Sequence, residues 1–502
     1  MSKEINYSLA IDFGTTNLKV ASYENKKVTP QKLSNNINGK RCEPNIITRN
    51  KRKDGNYEFE IGSAAENLLY DIDADKMKFV YNVKRHLCEE NWNIKFHDGY
   101  EADAVELSGE IFSWIYNRMV TKKGGNIPNT TVITFPVMYS EMQINRIKKA
   151  AKLAKINVDA VISEPVAAFF SFEETKDFFE DADDGDEKNF FIFDFGGGTI
   201  DAAVIKIKCI DDNFKVTVLS SYGIKYGGSD LTESIINDII FPSVTPNERK
   251  LLKERGYHFV HEIDNKKVRM YSDEDDEVDD EYYIKRNNEN IDINYHFTSD
   301  EIEDILNKNS LKEKLVKMFD YMLEESDIYK DEDEISVHFI GGGSGIPYFR
   351  NILEEYFETD EIGDFDEDEN MGYVALGAAY YAGMLSENTN IKFENRSAYQ
   401  IVGEFENTGV YLNRQTLYEN KTIKKPLTLT KFDDGRRYMK FYQKFTPKSE
   451  KIYLGYLDLS DSKYDTAEVF DLKICYDGRI EAEVYGHKNE SLGKENIIVE
   501  EI

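Results

Sequence analysis

Cysteine, proline and tryptophan are scarce in this 502-residue sequence, which contains 4, 10 and 2 of them, and long apolar runs are absent. The cysteines stand far apart without metal-ligand or paired spacing, so they predict ordinary buried thiols in a reducing compartment. No apolar run approaches the roughly 20 residues that a membrane helix needs, and the N-terminus lacks the basic start and apolar core of a secretory signal. We therefore expect a cytoplasmic protein with no membrane partner.

Positive charge is also in short supply. The chain has 63 Lys and Arg against 94 Asp and Glu, for a formal net charge of -31. This charge repels phosphate backbones, so we expect no nucleic-acid partner, and any bound phosphate must be held locally with the help of a cation. The 40% apolar content is ample for burial, and the length predicts several domains.

Strand and helix patterns alternate over most of the chain, which is typical of an α/β protein. A helix over 140–155 begins with a capping box at Ser140 and Gln143. A second helix begins at Thr298, and a third has Pro347 in its first turn.

The pattern changes at about residue 390, where short alternating stretches replace the helical spacing. The clearest stretch, 471–485, carries Asp477 and Gly478, which suit a two-residue hairpin turn. Residues 391–502 are therefore predicted to form a separate all-β domain.

The segment FIFDFGGGTIDAAVI (191–205) interrupts a buried strand with three glycines, Gly196, Gly197 and Gly198. Without Cβ atoms the chain can turn tightly and aim backbone N–H groups at an anion. Asp194 and Asp201 flank the turn and suit a hydrated magnesium ion, while Thr199 adds a hydroxyl donor. Taken alone, the segment fits equally a hairpin whose glycines only form a bulge.

A variant of this segment occurs near the start of the chain, at 9–23. It repeats an acid, a glycine and two hydroxyls after an apolar strand: Asp12, Gly14, Thr15 and Thr16. Two such hairpins imply two similar lobes that face a phosphate. A third glycine turn, Gly341, Gly342 and Gly343, also follows an apolar strand, but by itself it is a weak signal.

The order of these motifs resembles the actin-like ATPases, and most of all the seventy-kilodalton heat-shock chaperones. The matching segments are AIDFGTTN (10–17), YNVKRHL (81–87), TFPVMYSEMQINRIKKAAKLAKI (134–156), ISEPVAAFF (162–170), IFDFGGGTIDAAV (192–204), GGSDL (227–231), IGGGSGIP (340–347) and YVALGAAYYAG (373–383). The resemblance implies an actin-like two-lobed ATPase domain over 1–386, with duplicated ribonuclease-H-like halves. Lobe I would comprise about 1–187 plus 371–386, and lobe II about 188–370.

The β region resembles the peptide-binding sandwich of the same chaperones, at 410–430 and again at 478–501. The connector after Leu385 lacks the tight aliphatic run that transmits nucleotide state in that family, and we expect no helical lid. From this resemblance we expect a short, lidless member with weak coupling between its domains.

The resemblance also implies ATP and Mg²⁺ as cofactors and gives each motif residue a role. Thr15 and Thr16 would touch the terminal phosphates, and Lys84 would stabilise charge on the transferred phosphoryl group. Glu164 would be a polar anchor near the ion, and Thr199 would join these catalytic groups. Without the resemblance, Lys84 is a surface lysine and Glu164 a helix-capping acid.

Further residues follow from the same motifs. Asp12, Asp194 and Asp201 would surround magnesium, through its waters, and the attacking water, so Asp194 and Asp201 are also catalytic candidates. The nucleotide would contact Gly14, Gly196, Gly197, Gly198, Gly228, Arg269, Gly341, Gly342 and Gly343. Two positions depart from the family pattern: Gly345 replaces an arginine that stacks on adenine, and Met371 replaces an acid. Arg269 is the candidate for the other face of the base.

The predicted function is an ATP-dependent chaperone that hydrolyses Mg-ATP and binds unfolded or extended peptides. The resemblance implies a J-domain co-chaperone and a nucleotide-exchange factor as partners. Two alternatives remain: a nucleotide-sensing scaffold with little hydrolysis, and a small-molecule kinase on the same scaffold. A filament-forming protein is disfavoured because the acidic loops would repel other copies.

Overall fold

The computed structural model describes residues 5–34, 42–70, 77–89, 91–273, 275–286, 289–330, 333–359, 361–362, 372–387, 389–394, 400–405, 408–412, 421–428, 438–444, 452–459, 466–474, 480–485 and 491–497. Met371 and the predicted hairpin turn at Asp477 and Gly478 lie outside these residues. None of the described helices is long and apolar enough to span a bilayer.

The first lobe is built around a mixed sheet with the strand order β11-β10-β1-β2-β3, and β4 also pairs with β2. Its strands are β1 (Ser8–Phe13), β2 (Asn17–Glu24), β3 (Lys27–Pro30), β4 (Cys42–Pro44), β5 (Ile46–Lys51), β6 (Tyr57–Ile61), β7 (Phe79–Tyr81), β8 (Asn93–Lys95), β9 (Glu101–Asp103), β10 (Thr130–Phe135) and β11 (Ala160–Ser163). Its helices are α1 (Ser63–Asn67), a 3₁₀ turn (Leu68–Tyr70), α2 (Val83–His86), α3 (Ala104–Lys122), α4 (Glu141–Leu153), α5 (Glu164–Phe169) and α6 (Glu173–Asp181).

Two helices of this lobe, α3 and α4, begin where their sequences supply side-chain caps. The side chain of Asp103 accepts from the Glu106 amide at the start of α3, and that of Ser140 accepts from the Gln143 amide at the start of α4. Each is a complete capping box, which satisfies backbone donors that an isolated helix end leaves free. The capping box predicted at Ser140 is therefore confirmed.

The second lobe repeats the pattern of the first, with the strand order β17-β12-β13-β14-β18. Its strands are β12 (Glu187–Phe195), β13 (Ile200–Ile210), β14 (Asn213–Ile224), β15 (Glu277–Arg286), β16 (Glu289–Thr298), β17 (Ile335–Ile340) and β18 (Ile391–Glu394). The helices are α7 (Gly228–Ser234), a π-helix (Ile235–Ile240), α8 (Phe241–Ser243), α9 (Pro246–Arg255), α10 (Tyr257–Ser272), α11 (Ser299–Lys308), α12 (Leu311–Ser326) and α13 (Pro347–Phe357). The predicted helices at Thr298 and Pro347 are confirmed.

The duplication expected from the sequence is visible in the strand pairing. β1 is antiparallel to β2 and parallel to β10, just as β12 is antiparallel to β13 and parallel to β17. Each lobe therefore carries a glycine turn at the same corner of its sheet.

The two lobes share one apolar cluster at their base. It joins Ala10 and Val132 of the first sheet to Phe190 and Ile192 of the second, and it includes helix α14 (Tyr373–Ser386). Because the lobes are joined at this level, the space above it is left as a cleft between them.

The C-terminal region forms two four-stranded sheets, β20-β19-β22-β23 and β21-β24-β25-β26, with antiparallel pairing throughout the described registers. The strands are β19 (Gln400–Phe405), β20 (Thr408–Leu412), β21 (Lys421–Thr428), β22 (Tyr438–Lys444), β23 (Ile452–Asp458), β24 (Thr466–Ile474), β25 (Ile480–Tyr485) and β26 (Ser491–Ile497). Ile474 of β24 is paired with Ile480 of β25.

The connector between α14 and these sheets is itself partly a strand. Although it lacks a tight aliphatic run, β18 pairs in parallel with β14, and Phe393 is buried against Phe170 and Tyr381. The side chain of Gln443 on β22 accepts a 3.1 Å hydrogen bond from the amide of Glu141, the first residue of α4. The C-terminal sheets therefore contact the first lobe as well as following the second.

Candidate functional site

The two duplicated glycine turns meet across the cleft. A Cβ atom added to Gly197 would lie 2.6 Å from Thr16 Cγ2, and one added to Gly198 would lie 2.6 Å from Thr15 Oγ1. Contacts this close exclude any larger residue at either glycine without displacement of the opposite turn. The threonines of the first lobe therefore lie directly against the glycines of the second.

A loop at the start of α7 supports the second turn. The amides of Gly228 and Ser229 donate to the carbonyl oxygens of Gly196 and Gly197, at 3.0 and 2.9 Å. A Cβ on Gly227 would lie only 2.5 Å from the Gly198 nitrogen. The main chain of this loop thus fixes the position of the turn.

The third glycine turn closes onto the same strand end. Gly341 has a φ of +88°, a conformation that other residues rarely adopt, and a Cβ there would overlap the carboxylate of Asp194. The amide of Gly343 donates to the carbonyl oxygen of Phe195 at 3.0 Å. The motif that was weak in the sequence therefore lies beside the other two turns.

These turns line a cleft of about 940 Å³ between the lobes. Most residues singled out in the sequence line it: Asp12, Gly14, Thr15, Thr16, Glu164, Asp194, Gly196, Gly197, Gly198, Thr199, Gly228, Arg269, Gly341, Gly342 and Gly343. Lys84 and Asp201 are buried behind its wall, where Lys84 forms an ion pair with Glu164 and Asp201 accepts from Thr199 Oγ1 at 2.5 Å. The structure thus brings all the predicted site residues to one region.

Four carboxylates are buried at the floor of this cleft: Asp12, Glu164, Asp194 and Asp201. Burial and the nearby charge of Glu164 raise the pKa of the Asp201 carboxyl to about 7. Burial, with Glu164 and Asp201, raises the pKa of Asp194 well above its usual range. Burial also raises the pKa of Glu164, although the ammonium of Lys84 opposes it. A cation bound here would offset both the burial of these carboxylates and the negative charge of their neighbours.

The donor set fits magnesium held through water. Within the described part of the chain, no three His, Cys, Asp or Glu side chains lie close enough together to ligate one ion directly. Asp201 Oδ1 is buried and has no well-aligned hydrogen-bond donor among the described residues, so it is available to accept from an ordered water. Mg²⁺ usually keeps several waters and is held by one or two carboxylates together with phosphate oxygens.

The outer part of the cleft is lined by α10. Arg269 on this helix lines the cleft, and so does Gly345, which has no side chain. Lys267 is buried, and its ammonium donates to the Gly228 carbonyl at 2.8 Å and to Asp264 at 2.8 Å. These bonds tie α10 to the loop that supports the second turn.

The mouth of the cleft is bridged by side chains that the sequence did not reveal. Tyr81 and Tyr257 stack with ring centroids 3.6 Å apart, and Glu66 Oε1 lies 3.1 Å from His261 Nε2. These contacts join residues far apart in the chain, so no local pattern could indicate them. They hold the outer halves of the two lobes together.

Lys19 was also missed, although a signal was present. Its ammonium lies 3.2 Å from Asp12 Oδ2, and the residue lines the cleft. Lys19 follows Asp12 at the spacing by which Asp201 follows Asp194. Aligning the two hairpins residue by residue would have identified it.

Two similar lobes, facing glycine turns and buried carboxylates between them define the actin-like two-lobed class. The family model described as Hsp70 protein matches residues 8–395. The chain therefore belongs to the Hsp70 family, whose members share this fold, bind ATP with Mg²⁺ and are ATPases.

Three similar relatives bear the name chaperone protein DnaK. The protein from Mycoplasma mobile is 26% identical over 385 residues, which cover 76% of this chain and 59% of the relative. Those from Mycoplasmopsis pulmonis and Ureaplasma urealyticum are 27% and 28% identical, over 78% and 77% of this chain and 60% and 59% of the relatives. The chain thus spans about 60% of the length of these relatives.

Proposed function

We propose that the protein is an ATP-dependent chaperone, which binds and hydrolyses Mg-ATP between its lobes and couples this to the binding of extended peptides by its C-terminal sheets. The observation that carries the proposal is the contact between the two glycine turns, one from each lobe. Membership of the Hsp70 family and similarity to proteins named DnaK support it.

The turns would hold the phosphates of the nucleotide. The Gly196 amide donates to the Thr199 carbonyl oxygen at 3.0 Å and closes the turn, and the amides of Gly197 and Gly198 would converge on the anion because no side chains intervene. Thr15 and Thr16 add hydroxyl donors from the opposite lobe. Loss of the terminal phosphate removes contacts to both turns at once. The closed arrangement of the lobes is then less stable, so the lobes would open.

The buried carboxylates would hold magnesium through its waters and position the attacking water. When bound, the ion supplies positive charge that stabilises the phosphate oxygens. Thr199 holds Asp201 by a hydrogen bond to one oxygen, leaving the other free to accept. Lys84, kept in place by Glu164, would stabilise the charge that develops on the transferred phosphoryl group.

The nucleoside would lie against α10. Arg269 would cover one face of the base, and the absence of a side chain at Gly345 leaves the other face less enclosed. We therefore expect weaker discrimination between adenine and other purines than two stacked cations would produce.

The C-terminal sheets would form a β-sandwich that binds an extended peptide through backbone hydrogen bonds, a mode with limited sequence preference. The strand β18 and the contact between Gln443 and Glu141 connect these sheets to both lobes. A cytoplasmic location, a J-domain co-chaperone and a nucleotide-exchange factor belong to this proposal as predictions.

The site is tested with Asp194→Asn and Thr199→Ala. Loss of a hydrogen bond to a charged group costs about 1.5 to 3 kcal/mol, so we expect Mg-ATP affinity or single-turnover hydrolysis to fall by about tenfold or more. Asp177→Asn and Thr29→Ala, at exposed positions outside the cleft, are the matched controls. Unchanged affinity and rate in both site variants would refute the assignment.

The function is tested by adding candidate substrates to the hydrolysis assay. An extended apolar peptide should raise phosphate release by the wild type, whereas glucose, glycerol and acetate should not. Stimulation by one of these small molecules would indicate a kinase. Equal, negligible single-turnover rates for wild type and Lys84→Ala would indicate a scaffold that senses nucleotide.

A further inference from the structure

The two hairpins that face the cleft differ in charge at one equivalent position. Asp12 is paired with Lys19 across the β1–β2 hairpin, and Asp194 is paired with Asp201 across the β12–β13 hairpin. Directly paired residues of antiparallel strands lie on the same face of the sheet. Lys19 therefore occupies, in the first lobe, the position that a carboxylate occupies in the second.

The difference between Lys19 and Asp201 gives the two hairpins at the cleft floor different charges. The second hairpin contributes two carboxylates, and no described residue supplies a cation that pairs with Asp201. In the first hairpin the ammonium of Lys19 compensates Asp12. Of the two hairpins, the second therefore carries the uncompensated negative charge, whereas the charge of Asp12 in the first is balanced by Lys19.

Lys19 is placed to contact a ligand in the cleft. Its side chain is 18% exposed, and the residue lines the cleft beside Thr15 and Thr16. Among the described residues Asp12 is its one recorded hydrogen-bond acceptor, which leaves two of the three ammonium N–H donors available. Thr134 Oγ1 also donates to Asp12 at 2.9 Å, so this carboxylate keeps a partner if Lys19 turns toward a ligand.

We propose that Lys19 is a phosphate-binding residue, whose ammonium contacts the polyphosphate chain of the nucleotide from the first lobe. The inference rests on the proposed function, because it assumes that the cleft holds a nucleoside triphosphate. The ammonium of Lys19 would neutralise part of the negative charge of the phosphates, which Mg²⁺ neutralises when it is bound. Lys19 therefore makes nucleotide binding less dependent on the metal.

The test measures affinity by calorimetry for ATP with Mg²⁺, ATP with EDTA, adenosine, and inorganic tripolyphosphate. Lys19→Met should weaken ATP binding in EDTA by about tenfold and Mg-ATP binding by less, since the metal compensates. Adenosine affinity should be unchanged because adenosine carries no phosphate. Lys19→Arg should restore most of the binding, and Lys27→Met, at an exposed position on β3, is the control.

Lys19→Gln keeps a hydrogen-bond donor near Asp12 without the charge, and it replaces the methionine variant if that protein does not fold. Equal affinity of wild type and both neutral variants for ATP in EDTA would overturn the proposal, as would an equal loss for ATP and adenosine. If the wild type binds tripolyphosphate through Lys19 but not ATP, the proposed function fails and the role of Lys19 stands. If the wild type binds neither, both are overturned.

Discussion

Lys84 and Glu164 form an ion pair inside the protein, with only 1% of the lysine side chain and 11% of the glutamate side chain exposed. The hydroxyl of Tyr139 donates to the Lys84 carbonyl at 3.0 Å and fixes the backbone of the short helix α2. A charge buried this deeply is stable only with its partner. The pair therefore ties α2 to the start of α5 directly behind the cleft.

Lys84→Met should destabilise the protein and slow the proposed hydrolysis. Removing one partner of a buried pair costs about 3 to 5 kcal/mol, measurable by urea unfolding. Loss of a group that stabilises transition-state charge should lower the single-turnover rate by about a hundredfold or more. Lys95→Met, which breaks an exposed pair with Glu101, should leave the free energy of unfolding close to that of the wild type.

The double variant Lys84→Met with Glu164→Leu separates stability from chemistry. Replacing both charges with apolar groups should recover much of the lost stability, because no unpaired charge remains. The hydrolysis rate should stay low. Recovery of the rate together with the stability would contradict the role proposed for Lys84.

Features with a local cause were predictable from the sequence. The hairpin turns need only glycines between apolar strands, and the capping box at Ser140 needs only its neighbours. The stacking of Tyr81 on Tyr257 depends on how the two lobes are placed relative to each other. The local sequence pattern around each tyrosine contains no information about that placement. The connector strand was not predicted, because a segment this short has too few apolar residues to show the alternation of a strand. Its packing against Phe170 is visible only in the structure.

Gly377→Ala should destabilise the protein, although alanine normally favours a helix. A Cβ at this position would overlap the carbonyl oxygen of Ala167, because α14 and α5 pack closely there. Backbone cannot move aside as a flexible side chain can, so we expect a loss of about 1 to 3 kcal/mol in urea unfolding. In the same helix, Gly383→Ala meets the ring of Tyr23 and should cost less, because a side chain can shift. A gain in stability for Gly377→Ala would show that the helices can separate without cost.

Tyr257→Ala should speed nucleotide release. The ring stacks on Tyr81 across the mouth of the cleft, and its loss removes an aromatic contact worth about 1 kcal/mol in addition to buried area. We expect the dissociation rate of a fluorescent nucleotide, measured by stopped flow, to rise by about fivefold or more. Tyr283→Ala, at an exposed position on β15, is the control. An unchanged rate would mean that the mouth opens without separating these rings.

Glu174→Gln should flatten the acid dependence of stability. Burial raises the pKa of the Glu174 carboxyl, but hydrogen bonds from His338, Lys188 and Ser336 outweigh it and lower the pKa to about 2. The folded-state pKa then lies below the unfolded-state value of about 4.3, so the unfolded state binds more protons between these values. The stabilisation is present above about pH 4.3 and is lost as the pH falls toward 2.

Urea unfolding at several values of pH between 7 and 3 measures this effect. At neutral pH the variant should be less stable than the wild type, on the order of 2 kcal/mol, and the difference should shrink on acidification. Glu173→Gln changes the adjacent carboxylate, whose side chain is 81% exposed, and should follow the wild type at every pH. A difference that stayed constant with pH would show that Glu174 contributes by packing alone.

Phe393→Ala should release the connector strand from the second lobe. Phe393 is 8% exposed and packs on Phe170 and Tyr381, with ring centroids 5.5 and 5.4 Å away. Losing this ring should cost about 3 kcal/mol locally and speed amide hydrogen exchange at 391–394.

Because β18 leads from α14 to the C-terminal sheets, peptide stimulation of hydrolysis should fall while the basal rate stays within about twofold. Lys392→Ala, at the adjacent residue with a side chain 69% exposed, should retain both the protection and the stimulation. Faster exchange with full peptide stimulation would show that the sheets communicate with the lobes by another route, such as the hydrogen bond between Gln443 and Glu141.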